Sequence, residues 1–155
     1  MTIEQPRGDR IGDTDWQAAA HAAARLAKQV ELALDAADLS LPQYRVMVFL
    51  AEGSAGASAL AGTLAVSRPT ITVVVDGLVA KGFVERQGDE VDRRKVHHRL
   101  TPAGRRSLEQ ADAVVSARLA ELADHLGADA PRAVEGLTLW GQAMAAARKA
   151  AVSRT

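Results

Sequence analysis

The chain contains no cysteine, which removes disulfides, thiolate catalysis, cysteine-ligated zinc and direct thiol redox sensing. Aromatic residues make up 3% of it, too few for the stacking platforms that hold single-stranded nucleic acid. No apolar run approaches the roughly 20 residues that span a bilayer. The polar, mixed-charge start MTIEQPRGDRIGDTD also lacks the apolar stretch of a signal peptide. A soluble cytoplasmic protein with no membrane partner is expected. Nucleophile elbow, phosphate-binding glycine loop and HExxH pairing are all missing, so the reading is against an enzyme, and no cofactor is expected. His97 and His98 do not make a metal site, because adjacent strand side chains face opposite sides of a sheet. His21 and His125 fall on separate helices with no ligand pattern around them.

What is present suits a compact helical protein. Hydrophobic residues are 48% and charged residues 25% of 155 residues, enough for a core in one domain, or in a small lobe on a helical frame. Alanine is plentiful, which favours closely packed helices. The net charge is zero, but its distribution is uneven. Ser58–Arg106 holds nine Lys/Arg and five Asp/Glu, a balance of +4, and the remainder, with 19−9 basic and 19−5 acidic residues, carries −4. A basic middle between acidic ends is a localised electrostatic footprint.

Taken in order, residues 1–13 read as a flexible arm. A helix is predicted from Asp15, with Asp13–Asp15 as its cap, and its apolar stripe runs Trp16, Ala20, Ala23, Ala27, Val30, Leu34, Ala37. Ser40-Leu-Pro opens a second helix with Tyr44, Met47, Val48 and Leu50 or Ala51 as its apolar face, closed by Gly53-Ser-Ala-Gly56. A short helix follows over Ser58–Val66, buried through Leu60, Leu64 and Val66. Ser67 then caps another, with Pro69 in its first turn and Ile71, Val74, Val75, Leu78 and Val79 facing inward, until Lys81-Gly82 stops it. Two helices joined by so tight a turn make a helix-turn-helix. Strands at Phe83–Gln87 and Lys95–Leu100 flank a loop over 88–92. Within the second strand, His98 alternates inward with Val96 and Leu100 as a packed, hydrogen-bonded imidazole. Thr101-Pro102 opens a long helix with the stripe Leu108, Ala111, Val115, Leu119, Leu122, Leu126. A last helix carries Val134, Leu137, Trp140 or Gly141, Met144, Ala147 and Ala151. The fold class is mainly α with one β-hairpin: a winged helix-turn-helix lobe over 40–101, on an all-helical dimerisation frame of 14–39 and 102–152.

The functional constellation lies in that lobe. Near the start of the second helix of the motif, Ser67, Arg68, Thr70, Thr72 and Val73 are free to face outward. This is the end that helix-turn-helix proteins lay in the major groove. Hydroxyls can reach phosphates or base edges, threonine and valine methyls can touch the thymine methyl, and Arg68 can grip guanine bidentately. A row of threonines by itself is only a polar helix face. The hairpin beside it adds Arg93, Arg94 and Lys95 at its tip and Arg86 and Arg99 at its base, suited to a minor groove. Asp92 is placed to hold one of these arginines in position. The DNA-binding set is therefore Ser67, Arg68, Thr70, Thr72, Val73, Arg86, Arg93, Arg94 and Lys95, with Asp92 structuring the wing.

The segments SRPTITVVVDGLVAKGFVER and DRRKVHHRLTPAGR resemble the recognition helix and wing motif of the MarR family of winged-helix transcription regulators. The similarity extends from about Asp15 to Ala151, with Asp92 and Arg94 on the wing's Asp and Arg. It implies a homodimer interlocked through the first and the last two helices. It also implies binding to a palindromic double-stranded DNA operator, and relief of repression by a small aromatic or phenolic effector. Trp16, His21, Arg25 and Tyr44 would be neighbours of a pocket beside the first two helices. Two departures stand out: Val73 and Gly77 occupy positions where relatives often carry basic residues. Alternatives with the same fold are a protein-interaction module without specific DNA binding, and a ligand-responsive activator.

Overall fold

The computed structural model describes residues 12–53, 55–88, 92 and 95–152. Six helices and a small sheet follow in the order α1 (Asp13–Leu34), α2 (Leu41–Ala51), β1 (Ala55–Gly56), α3 (Ala57–Leu64), α4 (Arg68–Ala80), β2 (Val84–Gly88), β3 (Val96–Leu100), α5 (Pro102–Asp124) and α6 (Ala130–Val152). Single 3-10 turns sit at Asp35–Ala37 and Gly127–Asp129. The expected flexible arm lies almost wholly outside the described residues.

Local chemistry sets most of these boundaries. Ser40, Ser67 and Thr101 each cap the helix that follows, the side-chain oxygen accepting from the amide three residues on, and each helix has proline in its first turn. α1 starts two residues earlier than its sequence suggests. Gly12 is its cap, and the Gly12 amide donates to the Asp15 carboxylate at 3.2 Å. The α-helix itself ends at Leu34, where the chain tightens into the 3-10 turn before a left-handed conformation at Asp38, yet Ala37 still packs against the core as the stripe predicts. Phe83, expected to begin β2, instead gives its amide to the Leu78 carbonyl and closes α4. The strand therefore starts one residue later.

The sheet has three strands in the order β1-β3-β2, all antiparallel. The hairpin was legible; β1 was not, since two residues are too few to show alternation. β1 pairs Ala55 with His98 and Gly56 with His97, and so covers the outer edge of β3. Val96 departs from the inward alternation assigned to it. It is 43% exposed, paired with Gly88 where the two-stranded arm projects past the core and both faces meet solvent.

The core lies where α2, α3, α4 and the sheet meet the end of α1 and the first half of α5. Leu34, Val46, Met47, Leu50, Leu60, Ile71, Val75 and Leu78 are its fully buried large side chains, each stabilising by about 1.5–3 kcal/mol. On α2 the buried face is Val46, Met47 and Leu50, whereas Val48 is exposed. Tyr44, Met47 and Leu50 pack as the sequence predicts, but Val46 is buried where Val48 was expected, because the helix is apolar nearly all round. On α4 and α5 the predicted stripes are buried as expected through Ile71, Val75, Leu78, Leu108, Ala111 and Val115. By contrast, the stripes of α6 and of the first half of α1 face solvent in the single chain.

Candidate nucleic-acid interface

α3 and α4 are joined by three residues and turn through 111°, within the range of helix-turn-helix pairs. Ala65, at the turn, holds a left-handed conformation with φ of 53°, which costs a residue with a Cβ about 1–2 kcal/mol. The Arg45 guanidinium donates to the carbonyl of Leu64 at 3.0 Å, satisfying the end of α3 from α2. The turn is thus pinned from the neighbouring helix.

Burial of Ile71, Val75 and Leu78 fixes the rotation of α4, and so decides what it presents outward. Ser67, Arg68, Thr70, Thr72 and Val73 are all exposed, as the sequence predicted. The Arg68 side chain makes no ion pair or hydrogen bond among the described residues, so its guanidinium is available. The hydroxyls are not equally available. Ser67 Oγ accepts from the Thr70 amide at 3.2 Å and lies 2.7 Å from Thr70 Oγ1, while Thr72 Oγ1 donates to the Arg68 carbonyl at 3.0 Å.

The arm stands beside this helix, with Lys95 exposed at its far end. Lys95 Nζ lies 3.8 Å from the Asp92 carboxylate, and its amide donates to the Asp92 carbonyl at 2.8 Å. Asp92 therefore shapes the tip at least through Lys95. Arg93 and Arg94 lie outside the described residues. At the base, Arg86 is not free: its guanidinium pairs with Asp76, on the exposed face of α4. Arg99 pairs with Glu85 across the ladder at 2.6 Å. Sequence reasoning missed Asp76, although its spacing ten residues before Arg86 was in view. A helix-to-strand ion pair shows no periodicity.

His98 is the buried polar residue of the lobe, 5% exposed. Its Nδ1 donates to the Ala55 carbonyl at 3.1 Å and anchors β1 to the sheet. Burial lowers its pKa below the usual histidine value; the bond to Ala55 opposes this, and nearby Arg86 and His97 add to it. Neutral His98 is thus a structural pin. Among the described residues no three His, Asp or Glu side chains come together in metal-holding geometry.

Three contacts tie the lobe to the frame. The Lys81 ammonium, at the end of α4, donates to the Asp38 carbonyl and pairs with its carboxylate at 2.9 Å. Tyr44 Oη donates to the Asp112 carboxylate at 2.7 Å; burial and this bond both push the phenol's pKa upward. Finally, Thr101 Oγ1 donates to the Gly82 carbonyl at 2.7 Å while accepting from the Gly104 amide at 2.9 Å. A separate open groove of about 320 Å³ runs between α1 and α5, lined by residues including Gln29, Leu32, Ala33 and Val114. Arg118 closes one side, donating to Gln29 Oε1 at 2.6 and 3.0 Å. None of Trp16, His21, Arg25 and Tyr44 lines it.

A helix-turn-helix followed directly by a β-hairpin arm, on long flanking helices, defines a winged helix-turn-helix protein. Residues 39–96 match the model of the MarR family. Known structures extend the likeness to the frame. The apo form of MarR from E. coli superposes with a TM-score of 0.70 at 26% identity, covering 79% of this chain and 93% of that one. The transcriptional regulator BldR from Sulfolobus solfataricus gives 0.68 at 28% identity, covering 84% and 96%. A mutant E. coli MarR complexed with operator DNA gives 0.65 at 25% identity, covering 81% and 91%. Among curated proteins, none matches the chain by sequence. Among the described residues no single helix is long and apolar enough to cross a membrane.

Proposed function

We propose that this protein is a double-stranded DNA-binding transcriptional regulator that works as a homodimer, represses from palindromic operators and is released by a small-molecule effector. The observation that carries this reading is the exposed start of α4, with the Arg68 guanidinium unengaged among the described residues, standing beside the arm that carries Lys95 exposed at its far end. Two copies related by a two-fold axis would place two α4 helices in successive major grooves, ~34–36 Å apart. Each wing would lie along the flanking minor groove, with Arg94 entering it and Asp92 shaping the tip. The exposed Ser67 hydroxyl would reach a phosphate at the start of α4. Arg86, paired with Asp76, sets the angle between helix and wing.

Support for a dimer comes from α6, where Val134, Leu137, Leu139, Trp140 and Met144 are all exposed in the single chain. A stripe of that extent calls for a covering surface. Operator release would follow from an effector that favours a spacing of the two lobes mismatched to DNA by a few kcal/mol. The α1–α5 groove is a candidate seat, since it borders the segment on which Lys81 and Asp38 join lobe to frame.

The test is selection of bound duplexes from a random pool by the purified protein at physiological salt. Enrichment of an inverted repeat with half-sites about one helical turn apart is the expected result. Absence of any DNA binding, before and after refolding to strip a bound ligand, would refute the proposal in favour of a protein-interaction module. Replacing Arg94 with Ala should then lower affinity and reduce the salt slope by about one unit.

A further inference from the structure

We infer that α4 reads its operator mainly through methyl contacts, with Val73 at the centre of an apolar surface that selects thymine by its C5-methyl group. This rests on the DNA-binding reading above and adds to it the base class that is read. Val73 is 72% exposed, more than any other large hydrophobic side chain described. At about 100° per residue, it stands opposite the buried ridge of Ile71, Val75 and Leu78. Pro69 and Ala80 lie on the same outward ridge, and both are exposed. Neither folding nor helix propensity favours valine there, because alanine is the better helix former and would expose less apolar surface to water.

The polar groups around Val73 are already engaged. Ser67 Oγ accepts from the Thr70 amide and shares a hydrogen bond with Thr70 Oγ1, and Thr72 Oγ1 donates to the Arg68 carbonyl. The Asp76 carboxylate is paired with Arg86. With the Thr72 hydroxyl committed to its own helix and the Thr70 hydroxyl turned to Ser67, both threonines have methyl groups to offer beside Val73. Arg68 is left as the one unengaged charged side chain at the start of α4. Thymine is the base that presents a methyl group in the major groove. Excluding water between that methyl and Val73 strengthens binding about fourfold per half-site, the value of one buried methyl-sized group.

The experiment uses the duplex recovered by selection, with each thymine replaced in turn by deoxyuridine, which removes only the C5-methyl. Affinities of the full-length protein and of Val73→Ala are measured at one fixed salt concentration by fluorescence anisotropy. The expected result is a loss of about fourfold at one thymine of a half-site, and about fifteenfold when that thymine is substituted in both half-sites. Val73→Ala should bind the thymine duplex more weakly than the unaltered protein does, and its further loss on uracil substitution should be clearly smaller than about fourfold at the thymine that Val73 faces. If the unaltered protein binds its selected sequence equally well with uracil throughout, methyl reading is refuted while DNA binding stands. An equal uracil penalty in Val73→Ala would assign the methyl to another side chain and overturn the role of Val73. If neither protein binds DNA, both this inference and the reading beneath it fall.

Discussion

Gly104 shows how one missing atom can fix a junction. A Cβ there would lie 2.0 Å from the carbonyl oxygen of Phe83, so α5 can start against the base of the wing only with glycine at this position. Gly104→Ala should lower stability by at least ~1–3 kcal/mol, since backbone cannot move aside as a side-chain end can. Gly62, in α3, has nothing within 4 Å of an added Cβ. Gly62→Ala should instead raise stability by about 0.5–1 kcal/mol through helix propensity. Urea unfolding of the two variants checks both signs. His98 gives a pH prediction. Its folded pKa is lowered, so the unfolded chain takes up a proton first as pH falls. The stabilisation is complete above the unfolded value of about 6.5 and is lost as pH drops below it towards the folded value. His98→Asn, which keeps an N–H for Ala55 but cannot titrate, should close its stability gap to the unaltered protein between pH 7.5 and 5. A gap that stays constant would contradict this.

At the scale of elements, the Arg86–Asp76 pair matters more for placement than for stability. Both side chains are about half exposed, where an ion pair contributes ~0–1 kcal/mol. It joins the strand that begins the wing to the exposed face of α4, and it places a carboxylate on that face. Asp76→Ala removes the negative charge and frees an arginine. On the DNA-binding proposal, affinity should rise at low salt and the salt slope should steepen by about one unit, with the unfolding midpoint nearly unchanged. Unchanged binding in a titration against salt would show that Arg86 and Asp76 lie away from phosphate. The elements themselves were largely legible beforehand, because Ser-x-Pro and Thr-Pro starts and apolar stripes are local signals. β1 was hidden for the opposite reason: two residues are recruited into the sheet by the His98 side chain and the edge of β3.

At the scale of the whole molecule, the winged lobe shares one core with the end of α1 and the first half of α5, whereas the rest of the frame lies outside it. α6 and the first half of α1 are exposed along the stripes that their sequences predict to be buried. Trp16 and Trp140 meet edge to face with ring centroids 6.2 Å apart, and both still face solvent. On the proposed dimer, Leu137→Glu should shift sedimentation to the monomer. It should also abolish high-affinity operator binding, because the second half-site is lost, while a single lobe keeps its fold. A variant that stays dimeric would place the interface elsewhere.

The sequence by itself determined the helices, the caps that start them, the hairpin and the exposed start of α4. All of these depend on periodicities and capping chemistry within a few residues. It also held the methyl-bearing, weakly basic character of that helix. Tertiary structure decided which basic residues remain available. Arg86 and Arg99 are taken up by Asp76 and Glu85, whereas Arg68 stands unengaged among the described residues, because ion pairs across elements depend on distances in space. It also decided the rotation of α2, the edge covered by β1 and the fit of Gly104 against Phe83, since each is set by neighbours far away in the chain.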